Sequence, residues 1–259
     1  MIRFDNSEPF IKPRGIKFRE GQDSKIELPK VAVGVFSNHL FKDIVEKFQT
    51  KEVGYISGAN IERSVYILNY NGIHITFFMA GVSGAWLCSD IEELHAQGVN
   101  KFIIFGNCGV LDSKIEDCSI IIPTLAYRED GASYHYVEDS DSIEMNPKYM
   151  NEFIDILNKY KFDYIKAPTW TTDAFYRETK DKIKKYKELG VKTVEMEASS
   201  IAAVCKYLNI DYFTFYYAGD NLDSVEWDER SLYGLDNIDK KKEVAILALE
   251  LAAKLSSYN

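Results

Sequence analysis

The chain has 259 residues, of which 46% are hydrophobic and 27% are charged, and its formal net charge is −9. These proportions are those of a soluble globular protein, and a negative net charge without a basic block argues against nucleic acid as a partner. The first residues have no apolar signal core, no apolar run approaches membrane-spanning length, and the four cysteines are scattered. We therefore expect a cytoplasmic protein in a reducing compartment, with no membrane partner and no metal.

The predicted elements begin after a polar, irregular N-terminal arm over residues 1–30. Residues 31–36 form a short apolar run typical of a buried strand, and residues 38–49 predict a helix capped by Ser37 or Asn38. Two alternating segments flank Asn71-Gly72, which predicts a β-hairpin at that turn. The remaining patterns predict helices over residues 85–97, 147–160, 178–189 and 240–255, and strands over residues 101–105, 119–123, 164–170 and 212–218.

Strands alternate with helices through most of the length, but the hairpin adds an antiparallel pair. This combination predicts an α/β sandwich with a mixed sheet. No linker divides the chain, so we expect residues 31–259 to form a single domain.

Four strand ends carry residues suited to ligand binding. Glycines mark residues 81–84, 106–109 and 219–221, and two carboxylates mark residues 195–197. Ligands of open α/β sheets collect at strand ends, and glycine allows backbone N–H groups to approach an anion or a sugar. Each glycine loop alone is equally consistent with a tight turn, and residues 81–84 lack the GxGxxG pattern of a dinucleotide site. The functional interpretation therefore depends on the loops converging.

Glu195 and Glu197 stand where an extended segment leads into a helix, since apolar residues recur at helical spacing from Ala198 to Leu208. Acids are common in the first turn of a helix, where its partial positive charge favours them. The alternative is a clamp for vicinal hydroxyls, because a carboxylate accepts two O–H donors at once.

Four segments give the chain a family resemblance: residues 105–111, residues 120–136 with Pro123 and Arg128, residues 171–176, and residues 194–198. With them the sequence resembles the nucleoside phosphorylase family, which contains uridine phosphorylases, hexameric-type purine nucleoside phosphorylases and related nucleosidases. The resemblance implies a three-layer α/β/α sandwich with a mixed central β-sheet, assembled as a homo-oligomer, a dimer or a hexamer. It also implies cleavage of the N-glycosidic bond of nucleosides without a cofactor, with inorganic phosphate as co-substrate in phosphorylases.

The resemblance assigns the sugar site to residues 195–197. By position, Glu197 would hold the 2′- and 3′-hydroxyls of ribose, Met196 would line the sugar, and Glu195 would lie nearby.

The resemblance assigns the base site to Phe175, Gly109 and Asp220. Phe175 would stack on the base, although it is also a plausible core aromatic. Asp220 stands where purine-cleaving members place the acid that protonates N7 of the base, while pyrimidine-cleaving members have an apolar residue there and a nearby arginine that this chain lacks. This favours a purine, although Asp is also common in a turn such as Gly-Asp-Asn.

The phosphate site departs from the family pattern. Phosphorylases of the family open the first strand–helix turn with Gly-Asp-Pro and an arginine, whereas this chain has residues 35–39, Val-Phe-Ser-Asn-His. Ile104 stands near the place of a second arginine, and Asn107 replaces a small hydroxyl residue; Arg63 matches an arginine that crosses from a neighbouring subunit. Loss of two arginines removes charge-assisted, bidentate anion contacts.

Three functions remain open. The first is phosphorolysis with an altered phosphate pocket built from Ser37, Asn38, Ser83 and Asn107. The second is hydrolysis of the nucleoside by water. The third is a non-catalytic, nucleoside-binding relative that keeps the sugar clamp.

Overall fold

The computed structural model describes residues 4–258, so the first three residues of the predicted arm and the last residue of the predicted domain lie outside it. Within this range the chain forms ten strands and six α-helices. The strands are β1 (Val31–Val35), β2 (Gln49–Ser57), β3 (Glu62–Tyr70), β4 (Ile73–Met79), β5 (Lys101–Val110), β6 (Ile120–Glu129), β7 (Ser142–Glu144), β8 (Tyr164–Thr172), β9 (Thr193–Glu195) and β10 (Asp211–Asn221). The helices are α1 (Asn38–Lys47), α2 (Gly84–Ala96), α3 (Met150–Tyr160), α4 (Lys180–Glu188), α5 (Ala198–Leu208) and α6 (Ile238–Ser256).

The strands form one mixed sheet in the order β10-β6-β8-β9-β5-β1-β4-β3-β2, with β7 paired to β6. Strand β1 runs parallel to β4 and β5, while β2, β3 and β4 form an antiparallel meander. Strand β10 also pairs in parallel with β5, so that β5, β9, β8, β6 and β10 close into a ring. The predicted mixed sheet is confirmed.

Both faces of the sheet are covered by helices, which explains why its central strands are almost entirely apolar. Alternate residues of β1 point to opposite sides: Ala32 joins the core beneath α2 and α5, and Val33 joins the core beneath α1, α3 and α6. The arrangement is the three-layer α/β/α sandwich that the sequence predicts. No helix within residues 4–258 is both long and apolar enough to cross a membrane.

The predicted hairpin is confirmed, since Asn71 and Gly72 both have left-handed backbone angles, with φ of 53° and 85°. These are the angles of a type I′ turn, which matches the twist of β3 and β4. The first helix ends at Lys47, before the predicted end at residue 49, and the following strand β2 is missing from the sequence prediction. Its alternation is interrupted by a register shift between Glu52 and Gly54.

Strands β5 and β10 continue beyond their predicted ends because they pair with each other as far as Cys108 and Ala218. Their glycines suggest loops in the sequence, but Gly106 and Gly109 lie within β5. Gly106 and Gly109, which the sequence suggests lie in loops, are therefore held by the sheet.

Part of the N-terminal arm packs against the domain of its own chain. Ile16 and Leu28 are buried in the core beneath α2 and α5, and the Lys17 N–H donates to the carbonyl of Tyr55 at 2.8 Å. Farther towards the N-terminus, Phe10 and Ile11 are exposed.

Replacement of Gly34 in β1 tests this packing. A Cβ at Gly34 would lie 2.6 Å from Phe78 and 2.7 Å from Ile104, both of which are buried in the sheet. Gly34→Ala should lower the free energy of unfolding by about 1–3 kcal/mol, the usual cost of overpacking a core. Urea denaturation measures the change. Gly131→Ala is the control, because the nearest heavy atom to its Cβ would be 3.5 Å away; an unchanged urea midpoint for Gly34→Ala would contradict the packing described.

Candidate active site

A cavity of about 220 Å³ opens where β5, β9 and β10 meet. Gly109 of β5 pairs with Val194 of β9, while Cys108 pairs with Ala218 of β10, so three strand ends face one space. Seven of the predicted site residues line it: Asn107, Gly109, Phe175, Glu195, Met196, Glu197 and Asp220. Larger grooves occur on the surface, but the buried carboxylates of Glu195, Glu197 and Asp220 all line this cavity.

Glu195 anchors the start of α5. Its Oε2 accepts hydrogen bonds from the backbone N–H groups of Glu197 at 2.7 Å and Ala198 at 2.6 Å, and from the Tyr216 hydroxyl at 3.1 Å. Its Oε1 accepts from the Thr171 hydroxyl at 2.6 Å. Burial raises the pKa of Glu195, and these donors oppose that rise. Since protein donors occupy both oxygens, Glu195 positions the neighbouring residues.

Glu197 is the carboxylate that the sequence predicts for sugar binding. Its side chain is 5% exposed, and its Oε1 accepts from the backbone N–H of Ser83 at 2.7 Å. The backbone N–H of Met196 also favours the charged form of this carboxylate. Burial and the charge of Glu195 nevertheless raise the pKa of Glu197 to about 8. Glu197 thus lines the cavity with fewer hydrogen-bond donors than Glu195 has, and a carboxylate can accept several hydroxyl groups.

Ser83 holds its N–H towards Glu197 with a strained backbone. Its φ of 83° and ψ of 144° lie in a region that residues other than glycine rarely adopt. Such a conformation costs on the order of 1–3 kcal/mol, which the surrounding structure must supply. The next residue is Gly84, where a Cβ would lie 2.0 Å from the Ser200 hydroxyl oxygen. The N-termini of α2 and α5 therefore approach closely on either side of Glu197, and both favour its negative charge.

Asp220, which the sequence predicts to act on the base, also lines the cavity. It is 2% exposed, and its Oδ2 accepts from the indole N–H of Trp227 at 2.8 Å. Burial raises the pKa of Asp220, and the Trp227 hydrogen bond opposes that rise. Phe175 lies edge to face with Trp227, with ring centroids 5.9 Å apart. Gly109 lets Asp220 approach β5, because a Cβ at Gly109 would lie 2.6 Å from Leu222 and 3.2 Å from Asp220.

Sequence reasoning missed Glu178, which lines the same cavity. Burial, together with the charge of Asp220, raises the pKa of Glu178 to about 8. The sequence prediction places Glu178 at the start of a charged surface helix, but α4 begins at Lys180. The only signal in the sequence is its position three residues after Phe175. Sequence reasoning also missed Leu232 and Tyr233, which reach the cavity from the segment after β10.

The region predicted for phosphate is only partly assembled. Of its five residues, Asn107 alone lines the cavity. Ser37 instead caps α1, where its hydroxyl accepts from the Leu40 N–H at 3.4 Å, and Asn38 is exposed on the first turn of that helix. Ser83 contributes its backbone N–H to Glu197.

Arg63 lies outside the lining of the cavity. Its guanidinium forms a bidentate ion pair with Asp90, with one Nη1–Oδ2 distance of 2.5 Å, and both side chains are buried. The same carboxylate accepts from the Gly81 N–H at 2.8 Å. Arg63 therefore supports the loop between β4 and α2 in its own chain, and its predicted contact with a neighbouring subunit stays a prediction. Within residues 4–258, no lysine or arginine lines the cavity.

Comparisons with known proteins agree with this architecture. Residues 30–257 match the profile of the Phosphorylase superfamily. The fold resembles the crystal structure of purine nucleoside phosphorylase from Toxoplasma gondii in complex with immucillin-H, with a TM-score of 0.80. That match covers 98% of this chain and 100% of the other, at 18% sequence identity.

Three curated relatives differ in their activities. The guanosine phosphorylase of Halorubrum lacusprofundi is 26% identical over 149 residues, which cover 57% of this chain and 61% of the relative. The uridine phosphorylase of Haemophilus influenzae is 25% identical over 54% of this chain and 61% of the relative. The 5'-methylthioadenosine/S-adenosylhomocysteine nucleosidase of Buchnera aphidicola is 32% identical over 46% of this chain and 55% of the relative. The chain thus spans about three-fifths of the length of these relatives.

The buried Glu197 predicts how stability depends on pH. Its pKa rises from 4.5 to about 8, so between these values the folded state binds more protons than the unfolded state. The free energy of unfolding should therefore fall as pH rises through this window, with a slope of up to about 1.4 kcal/mol per pH unit from one proton.

Glu197→Gln should flatten this slope, as measured by urea denaturation at several pH values across the window. Glu188→Gln, at an exposed position of α4, is the matched control and should keep the wild-type slope. Equal slopes for wild type and Glu197→Gln would show that Glu197 does not hold the extra proton.

Proposed function

We propose that this chain, which belongs to the phosphorylase superfamily, cleaves the N-glycosidic bond of purine nucleosides and transfers the ribosyl group to phosphate. The observation that carries the proposal is the joint placement of Glu197 and Asp220 at the edge of one small cavity, with Met196 and Phe175 beside them. A sugar-binding carboxylate and a base-facing acid are what cleavage of a purine nucleoside requires.

Glu197 would bind the ribose. Its raised pKa suits a carboxyl that awaits hydroxyl donors, because hydrogen bonds from the ribose would favour the charged form. A grip on both hydroxyls fixes the ribose ring while C1′ moves towards the acceptor. Positive charge develops on the sugar as the bond breaks, and a nearby anion stabilises it.

Asp220 would act as the general acid. A purine leaves poorly unless it is protonated, and a positioned acid contributes about 10²–10⁴-fold to the rate. An aspartate is normally ionised at neutral pH, so the role requires a raised pKa, which burial provides here.

Two observations support a purine substrate. Asp220 occupies a buried position at the base end, where a carboxyl can donate to a ring nitrogen. The guanosine phosphorylase of Halorubrum lacusprofundi is one of the relatives, although a uridine phosphorylase is another at similar identity.

Hydrolysis is a second candidate, and one observation favours it. The cavity lining within residues 4–258 has no basic side chain, and Arg63 is held by Asp90. A phosphate dianion would depend on neutral donors such as Asn107, whereas water needs no positive charge. The nucleosidase relative is compatible with this alternative.

A substrate assay separates these functions. Purified protein is incubated with inosine, guanosine, adenosine and uridine, with and without inorganic phosphate. We expect purine release that depends on phosphate and forms ribose 1-phosphate. Free ribose formed without phosphate would establish hydrolysis, and binding without turnover would establish a non-catalytic relative. Faster cleavage of uridine than of inosine would contradict the purine assignment.

Substitutions at the two ends of the cavity should have different kinetic effects. Asp220→Asn should lower kcat by about 10²–10⁴-fold, because it removes the proton donor and leaves the sugar contacts intact. Glu197→Ala should abolish turnover and nucleoside binding, because it removes the acceptor of the ribose hydroxyls. Steady-state kinetics and calorimetric titration with inosine measure the two effects. The control Glu188→Ala, on the exposed face of α4, should match wild type. If Glu197→Ala still bound inosine, the assignment of Glu197 to the ribose hydroxyls would be wrong.

A further inference from the structure

A second carboxyl faces Asp220 at the base end of the cavity. Asp220 approaches from the end of β10, and Glu178 approaches from the turn between Phe175 and α4. Both line the same space of about 220 Å³. Asp220 is buried, whereas Glu178 is partly exposed and also lines a larger groove on the surface beside Lys180 and Trp227.

Within residues 4–258, the Glu178 side chain forms no ion pair and accepts no hydrogen bond. The nearby Lys182 lowers the pKa of Glu178, but its ammonium is bonded to Glu129 of β6 and lies over the Trp170 ring, 5.8 Å from its centroid. Lys182 therefore offsets the charge of Glu178 only in part.

Asp220 has a hydrogen-bond donor but, within residues 4–258, no ion pair. Trp227 donates to its Oδ2, and from the segment after β10 Arg230 and Asp228 act on it with opposite charges. The other titratable groups that act on the two carboxyls are Glu129 of β6, Lys182 of α4, Cys108 of β5 and Tyr233 of the segment after β10. Partial burial and the charge of Asp220 both disfavour ionisation of Glu178, so the two carboxyls titrate as a coupled pair.

We propose that Glu178 and Asp220 work as one acid that shares a single proton, with Glu178 as the positioning residue that keeps this proton available for Asp220 to donate. This inference rests on the proposed function for its catalytic part. In the step, the O–H bond of Asp220 breaks as the N7–H bond of the purine forms. The glycosidic electron pair goes to the base, and an oxygen of phosphate or water bonds to C1′ and releases its proton to solvent. The pair, left doubly ionised, takes up a proton from solvent after the base departs.

Trp227 reports on the pair without any need for catalysis. The chain has three tryptophans, so protein labelled with 5-fluorotryptophan gives three ¹⁹F resonances, and Trp227→Phe assigns one of them. The indole N–H of Trp227 bonds directly to Asp220, so its resonance should follow the titration of the pair. We expect a midpoint near pH 8 in wild type, in keeping with the pKa of about 8 for Glu178.

Glu178→Gln removes the negative neighbour but keeps the size of the side chain. The Trp227 midpoint should fall by at least about one pH unit, the scale of coupling between interacting sites. The alkaline limb of the pH profile of kcat/KM for inosine should move to lower pH by a similar amount. Glu178→Asp, which restores the carboxyl, should recover part of both shifts. Glu188→Gln is the control, since Glu188 is exposed on α4, and it should leave both profiles unchanged.

The two readouts distinguish the proposals. A Trp227 midpoint that stays in place in Glu178→Gln would overturn the shared proton. A midpoint that moves in a protein that cleaves no nucleoside would support the shared proton and overturn the proposed function. A midpoint that moves together with an unmoved alkaline limb would support the pair and overturn its part in proton donation.

Discussion

The parallel pairing of β5 with β10 is the constraint on which the site depends. It closes five strands into a ring and carries both strands past the glycines at which the sequence suggests that they end. Gly109 is thereby held beside Asp220 on one side and Val194 on the other. A loop at the same place would leave the carboxylates free to move apart. Ladder hydrogen bonds instead fix their separation, and a site built on strands is more precisely positioned than one built on loops.

The second constraint is the free-energy cost of placing four carboxyl groups in one cavity. Glu178, Glu195, Glu197 and Asp220 line one small cavity, and burial raises the pKa of each. The structure offsets this cost unevenly. Glu195 accepts hydrogen bonds on both oxygens and serves as an anchor, whereas Glu197 receives fewer, and the Glu178 side chain accepts none from the described residues. This difference is the reason for proposing Glu197 and Glu178, and not Glu195, as the carboxyls that bind substrate or hold a proton.

The sequence predicted the fold class and the hairpin because hydrophobic periodicity and Asn-Gly turns act locally. Of the four strand ends that it singled out, those of β5, β9 and β10 meet at the cavity, and the loop after β4 adds Val82. It did not predict strand β2, whose alternation is interrupted near Gly54, or the extension of β5 and β10, which depends on pairing between distant segments. Glu178 escaped prediction for the same reason. Its place in the cavity lining results from the turn between Phe175 and α4, and a run of charged residues follows it in the sequence. The oligomeric state and the cytoplasmic location stay predictions.

Arg63 shows how much of a residue's surroundings a sequence pattern leaves out. In the sequence it matches an arginine that reaches a neighbouring subunit, and in the structure α2 places Asp90 against its guanidinium, with both groups buried. Separating such a pair leaves an uncompensated buried charge, at a cost of about 3–5 kcal/mol, so the pair resists rearrangement. Within residues 4–258 the cavity lining holds neutral groups such as Asn107 and no basic side chain. Neutral donors bind a phosphate dianion less strongly than paired guanidinium groups do. Under the proposed function, contacts of Glu197 with the sugar and of Asp220 with the base would therefore supply most of the binding free energy.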